Sequence, residues 1–200
     1  AILHRERLRQ QALRHQIERL ASPWVLDAAL GERATSRTVA ALGGDVGDLA
    51  RWVDPGLDAE ELMTLVRHAT TVALSALMGE GATVQLSHAE MIIALFASEQ
   101  GLAAAADAAV RASTRIARAL DRRFGGFVER SPGIAVTHAE LGDSDPTDAF
   151  FAAVGAAASL QGHAEGRILV DRRIAEVLPA HLRSMSELAG ELAGVYEVRA

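Results

Sequence analysis

The order in which helix-like and strand-like segments follow one another narrows the possible folds of this chain more than any single motif. Two long segments, Ala59 to about Met78 and about Glu99 to Arg123, carry apolar residues at helical spacing. In the first, Leu62, Leu65, Val66, Ala69, Val72 and Ala73 share one face, Asp58 stands at the N-cap, and Gly79 and Gly81 end the run. Gly125-Gly126 closes the second. Short apolar runs lie around them: Thr38–Leu42, stopped by Gly43-Gly44, then Ala82–Leu86 and Met91–Phe96 about a turn predicted at Ser87–His88. Phe127–Val128, Ile134–Leu141, Arg167–Val170 and Val195–Arg199 supply further strand material. A loop over Gly142–Pro146 precedes a helix to about Gln161, with Thr147 as its predicted cap, and Arg172–Leu178 reads as a short helix. The order β-α-β-β-α-β-α-β-α-β predicts an α+β domain, a ferredoxin-like, mostly antiparallel sheet with helices packed on one side.

Residues 1–30 read as a helical extension. Leu13, Ile17, Leu20 and Trp24 recur at spacings of four, three and four, and Arg5, Arg7, Arg9, Arg14 and Arg19 surround that stripe. Pro23 interrupts or restarts the helix, with Ser22 as its cap. Two readings stay open: a coiled-coil transmitter joining an upstream module, and a helix folded onto its own domain. The expected division is an extension over 1–33 and a domain over 34–200.

Composition excludes several classes. Hydrophobic residues make up 50% of the chain and aromatic residues 4%, so the core must be built from Ala, Leu, Val and Ile. A net charge of -6 argues against nucleic acid as partner. The absence of cysteine rules out disulfides and thiolate metal sites and fits a cytoplasmic setting. No apolar run reaches the roughly 18 residues that span a bilayer, and no secretory signal is visible. Membrane attachment would need an upstream segment; the chain opens on Ala, as a piece of a longer protein would.

Four segments in this order resemble the catalytic domain of class III adenylyl and guanylyl cyclases, over about residues 36–200. The first is Val39-Ala-Ala-Leu-Gly-Gly-Asp45, followed by Leu57-Asp-Ala-Glu-Glu-Leu62. It resembles the family's first strand, with Asp45 on the first metal-binding Asp, Gly43 where the family has Phe, and Asp48 near the phosphate loop. The second, Leu86-Ser-His-Ala-Glu90-Met, is similar to a Lys-x-x-Gly-Asp hairpin; Glu90 falls on the second metal-binding acid and Leu86 on the purine-reading Lys. The third, Gly133-Ile-Ala-Val-Thr-His-Ala-Glu140, resembles a Gly-Ile-His-x-Gly-Glu strand. The fourth, Val154-Gly-Ala-Ala-Ala-Ser-Leu160 with Gly166-Arg-Ile-Leu-Val170, resembles Val-Asn-x-Ala-Ala-Arg-Leu and the Gly-x-Ile-Leu-Val strand. There Ala152 falls on the second purine-reading residue, Gly155 on the catalytic Asn and Ser159 on the transition-state Arg.

The resemblance implies a site shared across a head-to-tail dimer. One chain supplies carboxylates for two metal ions; the other supplies Lys, the purine-reading acid, Asn and Arg. This chain contains no lysine and no asparagine at all. It keeps a version of the carboxylate half, Asp45 and Glu90, and lacks the other half at Leu86, Ala152, Gly155 and Ser159. Loss of one preorganised charge stabiliser costs about 2.7–4 kcal/mol of transition-state stabilisation. The implied function is a degenerate cyclase homology domain, regulatory or dimerising, within a bacterial signalling protein. One alternative is the carboxylate half of a heterodimeric cyclase making cAMP or cGMP, with Mg or Mn bound only if the Asp45–Glu90 pair works and nucleotide a possible ligand. The other is an unrelated ferredoxin-like ligand-binding domain.

Plainer roles stand beside these. Asp45 can cap a helix, His88 and Glu90 can form a solvated hairpin, and His138 and Glu140, sharing one strand face, fit a surface strand. Asp143, Asp145 and Asp148 suit turns and caps, and Trp24 and Trp52 suit packing.

Overall fold

The computed structural model describes residues 38–45, 58–82, 84–88, 91–124, 132–140, 146–182 and 185–199. Readings made for residues 1–37, Asp48, Trp52, Glu90, Phe127–Val128 and the loop at 142–145 lie outside these.

Strand β1, Thr38–Asp45, is followed by helix α1, Ala59–Gly79. Asp58 caps α1 by accepting from the Glu60 and Glu61 N–H groups at 2.9 and 2.8 Å, and the Glu61 carboxylate accepts from the Asp58 N–H at 3.0 Å. That reciprocal pair satisfies N–H groups that the first turn leaves open. At the other end Gly81 takes φ 75°, and the Ala82 N–H reaches back to the Leu77 carbonyl at 3.0 Å. Strands β2, Val84–His88, and β3, Met91–Phe96, follow, then helix α2, Leu102–Phe124, and strand β4, Ile134–Glu140. Helix α3 spans Pro146–Gln161, β5 Ile168–Asp171, and the short α4 Arg172–Val177. Strands β6, Met185–Glu187, and β7, Val195–Val198, complete the order.

The sheet runs β2-β3-β1-β4-β5-β7-β6, and among the described strand pairs only β4–β5 is parallel. Its two faces follow the strand alternation. Ala40 and Leu42 of β1, Ile92, Ala94 and Phe96 of β3, and Ile134 and Val136 of β4 join the core beneath α1, α2 and α4. The other face carries Ala41, Gly43 and Asp45, opposite Leu95, Ile93 and Met91 on β3. Helix α3 packs there, so the helices do not all lie on one side. Its place depends on small residues: a Cβ on Gly43 would meet the backbone of Ala157 at 3.2 Å, and Ala41, Ala135, Ala153 and Ala157 are fully buried.

Several predicted boundaries move. Ser87 and His88 are not a turn but the end of β2, paired with Ile92 and Met91. Thr147 lies inside α3 rather than capping it, because Pro146 already occupies the helix. Strand β6 was not predicted. Helix α1 is long and apolar enough to cross a membrane by length and composition, but its Leu65, Val66, Ala69, Ala73 and Leu77 face lies in the core.

Candidate functional site

The sheet face that carries α3 also carries most of the positions the sequence singles out. Asp45 is the last residue of β1 and pairs with Met91. Leu86 pairs with Ile93, which pairs with Gly43, so Leu86 stands on the same face two strands away, roughly 10 Å. The partner of Asp45 in the expected carboxylate pair, Glu90, lies outside the described residues.

Asp45 is 7% exposed and already has an interaction partner. On α3, Ala153 and Ala157 turn into the sheet, while Ala152 and Ser159 are exposed. Gly155 stands between these two, and a Cβ built on it would meet nothing within 4 Å. The steps 152, 155 and 159 put all three on one helical face. That face offers a methyl, a hydrogen and one hydroxyl. It has no charge with which to hold a phosphate.

Among the described residues no group of three or more His, Asp or Glu is placed to hold a metal ion. Of the carboxylate pair that the sequence resemblance implies, Asp45 is the member among the described residues. Ala152, Gly155 and Ser159 supply no charged side chain for acid–base or charge-stabilising chemistry.

A different carboxylate–histidine pair is formed. The Asp171 side chain accepts from the His138 backbone N–H and lies 2.8 Å from His138 Nδ1, both through Oδ2, and accepts from the Ile174 N–H through Oδ1. An ionised carboxylate can only accept, so Nδ1 carries the proton. Asp171 thereby caps α4 and ties it to β4. His138 is half-exposed, as a surface strand predicts, but its partner is Asp171, thirty-three residues on. The sequence signal was Asp171 directly before a helix-like run; which strand it would reach was not legible.

No protein-family model matches the sequence, and no curated protein matches it significantly. Solved structures do. The guanylyl cyclase domain of the RhoGC fusion protein from the aquatic fungus Blastocladiella emersonii, in a monomeric double-mutant form, superposes with a TM-score of 0.60 at 10% identity, over 82% of this chain and 94% of that one. The adenylyl cyclase CyaB from P. aeruginosa gives 0.58 at 14% identity over 82% and 94%. The guanylate cyclase domain of RhGC from Catenaria anguillulae, in complex with GTP, gives 0.57 at 11% over 82% and 97%.

This chain has the class III nucleotidyl cyclase fold. The fold expected from the four sequence segments is thus the one observed, and it spans nearly the full length of each of these cyclase domains. Within the cyclase fold, the alternation of strands and the packing of α3 set Asp45 and the α3 positions without a contribution from long side chains. Two of the matched cyclase domains are monomeric in their structures.

Proposed function

We propose that this chain is a cyclase homology domain that has given up nucleotide cyclisation and serves as a regulatory, dimerising module of a bacterial signalling protein in the cytoplasm. One observation carries the reading: the outer face of α3 presents Ala152, Gly155 and Ser159 into open space. In the cyclase pattern those positions read the purine, orient the ribose or phosphate, and neutralise transition-state charge. Here none can. The face is intact as a surface and empty as chemistry. The test is direct: purified protein with Mg²⁺ or Mn²⁺ should form no cAMP or cGMP above background from ATP or GTP. Clear product that disappears in Asp45→Ala would overturn the proposal.

The retention of Asp45 at the end of β1 favours a second reading, a carboxylate half that works only beside a chain bearing the missing groups. Calorimetric titration of Mn²⁺, with and without a non-hydrolysable nucleotide, separates the two. Micromolar binding, lost in Asp45→Ala and in Glu90→Gln separately, would select the half-enzyme. We expect weak or no binding.

A further inference from the structure

The pairing of His138 with Asp171 leaves one ring nitrogen unused. Along β4 the residues from Ile134 to Thr137 are buried, His138 is half-buried and Glu140 is exposed. His138 thus stands where the strand meets water. Asp171 Oδ2 takes both the backbone N–H and Nδ1 of His138, each at 2.8 Å, so one oxygen holds strand and ring together. Oδ1 is committed to the Ile174 N–H at 2.8 Å. The carboxylate therefore cannot swing off the ring without uncapping α4. With the proton on Nδ1, the ring's lone pair lies on Nε2. Among the described residues Nε2 has no hydrogen-bond partner.

That arrangement suits a nucleophile. A carboxylate on Nδ1–H fixes the tautomer and raises the basicity of the other nitrogen. It also stabilises the positive charge that the ring acquires when Nε2 forms a bond. A metal ion fits less well, because no group of three donors is placed to hold one among the described residues. The residues after Asp171 are Arg172 and Arg173, both exposed and held by long ion pairs, 3.9 Å to Glu187 and 3.7 Å to Glu176. They bring cationic charge to the start of α4, which favours an anionic electrophile. His181 is the internal contrast. There a carboxylate, Asp107, stands 4.0 Å from Nε2 itself, and the side chain is 69% exposed against 41% for His138. Exposure alone ranks His181 the more reactive; the carboxylate geometry ranks His138 first.

We propose that His138 Nε2 is a phosphoryl-acceptor site, held in the reactive tautomer by Asp171 as a positioning residue. The donor class is a phosphoramidate, a phosphorus–nitrogen compound such as phosphoramidate itself or a phosphohistidine of another protein. Nε2 attacks phosphorus with its lone pair. The new N–P bond forms as the donor's N–P bond breaks, and the donor nitrogen leaves with the bonding pair; from phosphoramidate, whose nitrogen is protonated, it leaves as ammonia. The ring becomes an imidazolium whose Nδ1–H stays on Asp171. The product carries a phosphoryl dianion where β4 meets α4, a charge change of the kind that orders or displaces neighbouring segments. This goes beyond the regulatory reading and holds whether or not the domain turns over nucleotide.

The full chain incubated with potassium phosphoramidate, then mapped by mass spectrometry, should be phosphorylated at His138 faster than at His68, His163 or His181. Phosphorus NMR should show the group on Nε2. Asp171→Asn and Asp171→Ser each keep a capping side chain for the Ile174 N–H and remove the charge. Both should slow phosphorylation of His138 at least about tenfold and leave the rates at the other three histidines as they were. Phosphorylation that follows exposure, with His181 ahead of His138, would overturn the proposal. So would an unchanged His138 rate in Asp171→Asn. A second measurement needs no variant and decides the matter should these unfold: long-range proton–nitrogen NMR of the His138 ring should show the Nδ1–H tautomer, and an Nε2–H tautomer would overturn the proposal.

Discussion

Gly133 and Gly155 are held in opposite ways. A Cβ on Gly133 would stand 2.7 Å from the Cβ of Ala164 and 3.1 Å from the Glu165 nitrogen, so the turn between α3 and β5 would have to move. That turn is already fixed by Glu165 at φ 45°, Gly166 at φ 84°, and the Arg167 guanidinium bonded to the Ala164 and His163 carbonyls. Gly133→Ala should therefore destabilise the protein by about 1–3 kcal/mol, read as a lower urea midpoint at unchanged slope. Gly155 sits in a helix with open space around it. Gly155→Ala should stabilise by about 0.5–1 kcal/mol in the same assay, because glycine loses more backbone freedom in a helix than alanine does. Nothing in the structure requires glycine at 155.

Between elements, the contact of α1 with α2 turns on one buried carboxylate. Glu80, just past the end of α1, is 6% exposed at its side chain and lies 2.8 Å from both Arg111 Nε and Arg115 Nε. Arg111 also pairs with Asp107 one turn earlier on α2. The partners are unequal: the two arginine side chains are 43% and 62% exposed. Removing the acid leaves guanidinium groups that water can solvate. Removing the arginines leaves a carboxylate without its charge partners in a largely buried position. Glu80→Gln should thus cost about 1 kcal/mol and Arg111→Ala with Arg115→Ala about 2–3 kcal/mol, measured by denaturant unfolding. Equal losses would mean that the carboxylate is wetted when its partners leave.

At the scale of the molecule, the cyclase fold leaves the outer face of α3 small and uncharged, and the expected state in solution is a homodimer through the exposed faces of the domain. Light scattering at high micromolar concentration should report twice the chain mass. A monomer there would contradict the assembly reading. If the dimer depends on residues 1–30, deleting them should weaken it, read in the same measurement.

The sequence by itself determined the elements that carry a strong local signal. Asp58 with Glu61 announces the start of α1, the 3.6-residue period gives its buried face, and Met91–Phe96 reads as a strand because its core neighbours need apolar residues. The places of Asp45 at the end of β1 and of residues 152, 155 and 159 on one helix follow from the order of segments along the chain. What only the tertiary structure decided is how distant pieces meet. Helix α3 is apolar on nearly every side, so no period told which sheet face it would take; the bare backbone at Gly43 lets Ala157 approach and settles it. Ser87 and His88 look like a turn and become strand because Ile92 and Met91 pair with them. Met185–Glu187 carries no strand signal and exists as β6 only against β7. The burial of Asp45 and the bond from His138 to Asp171 arise the same way. Local periodicity fixes which side of an element is buried. Complementarity between segments far apart in the chain fixes against what, and that information is in no single stretch of the sequence.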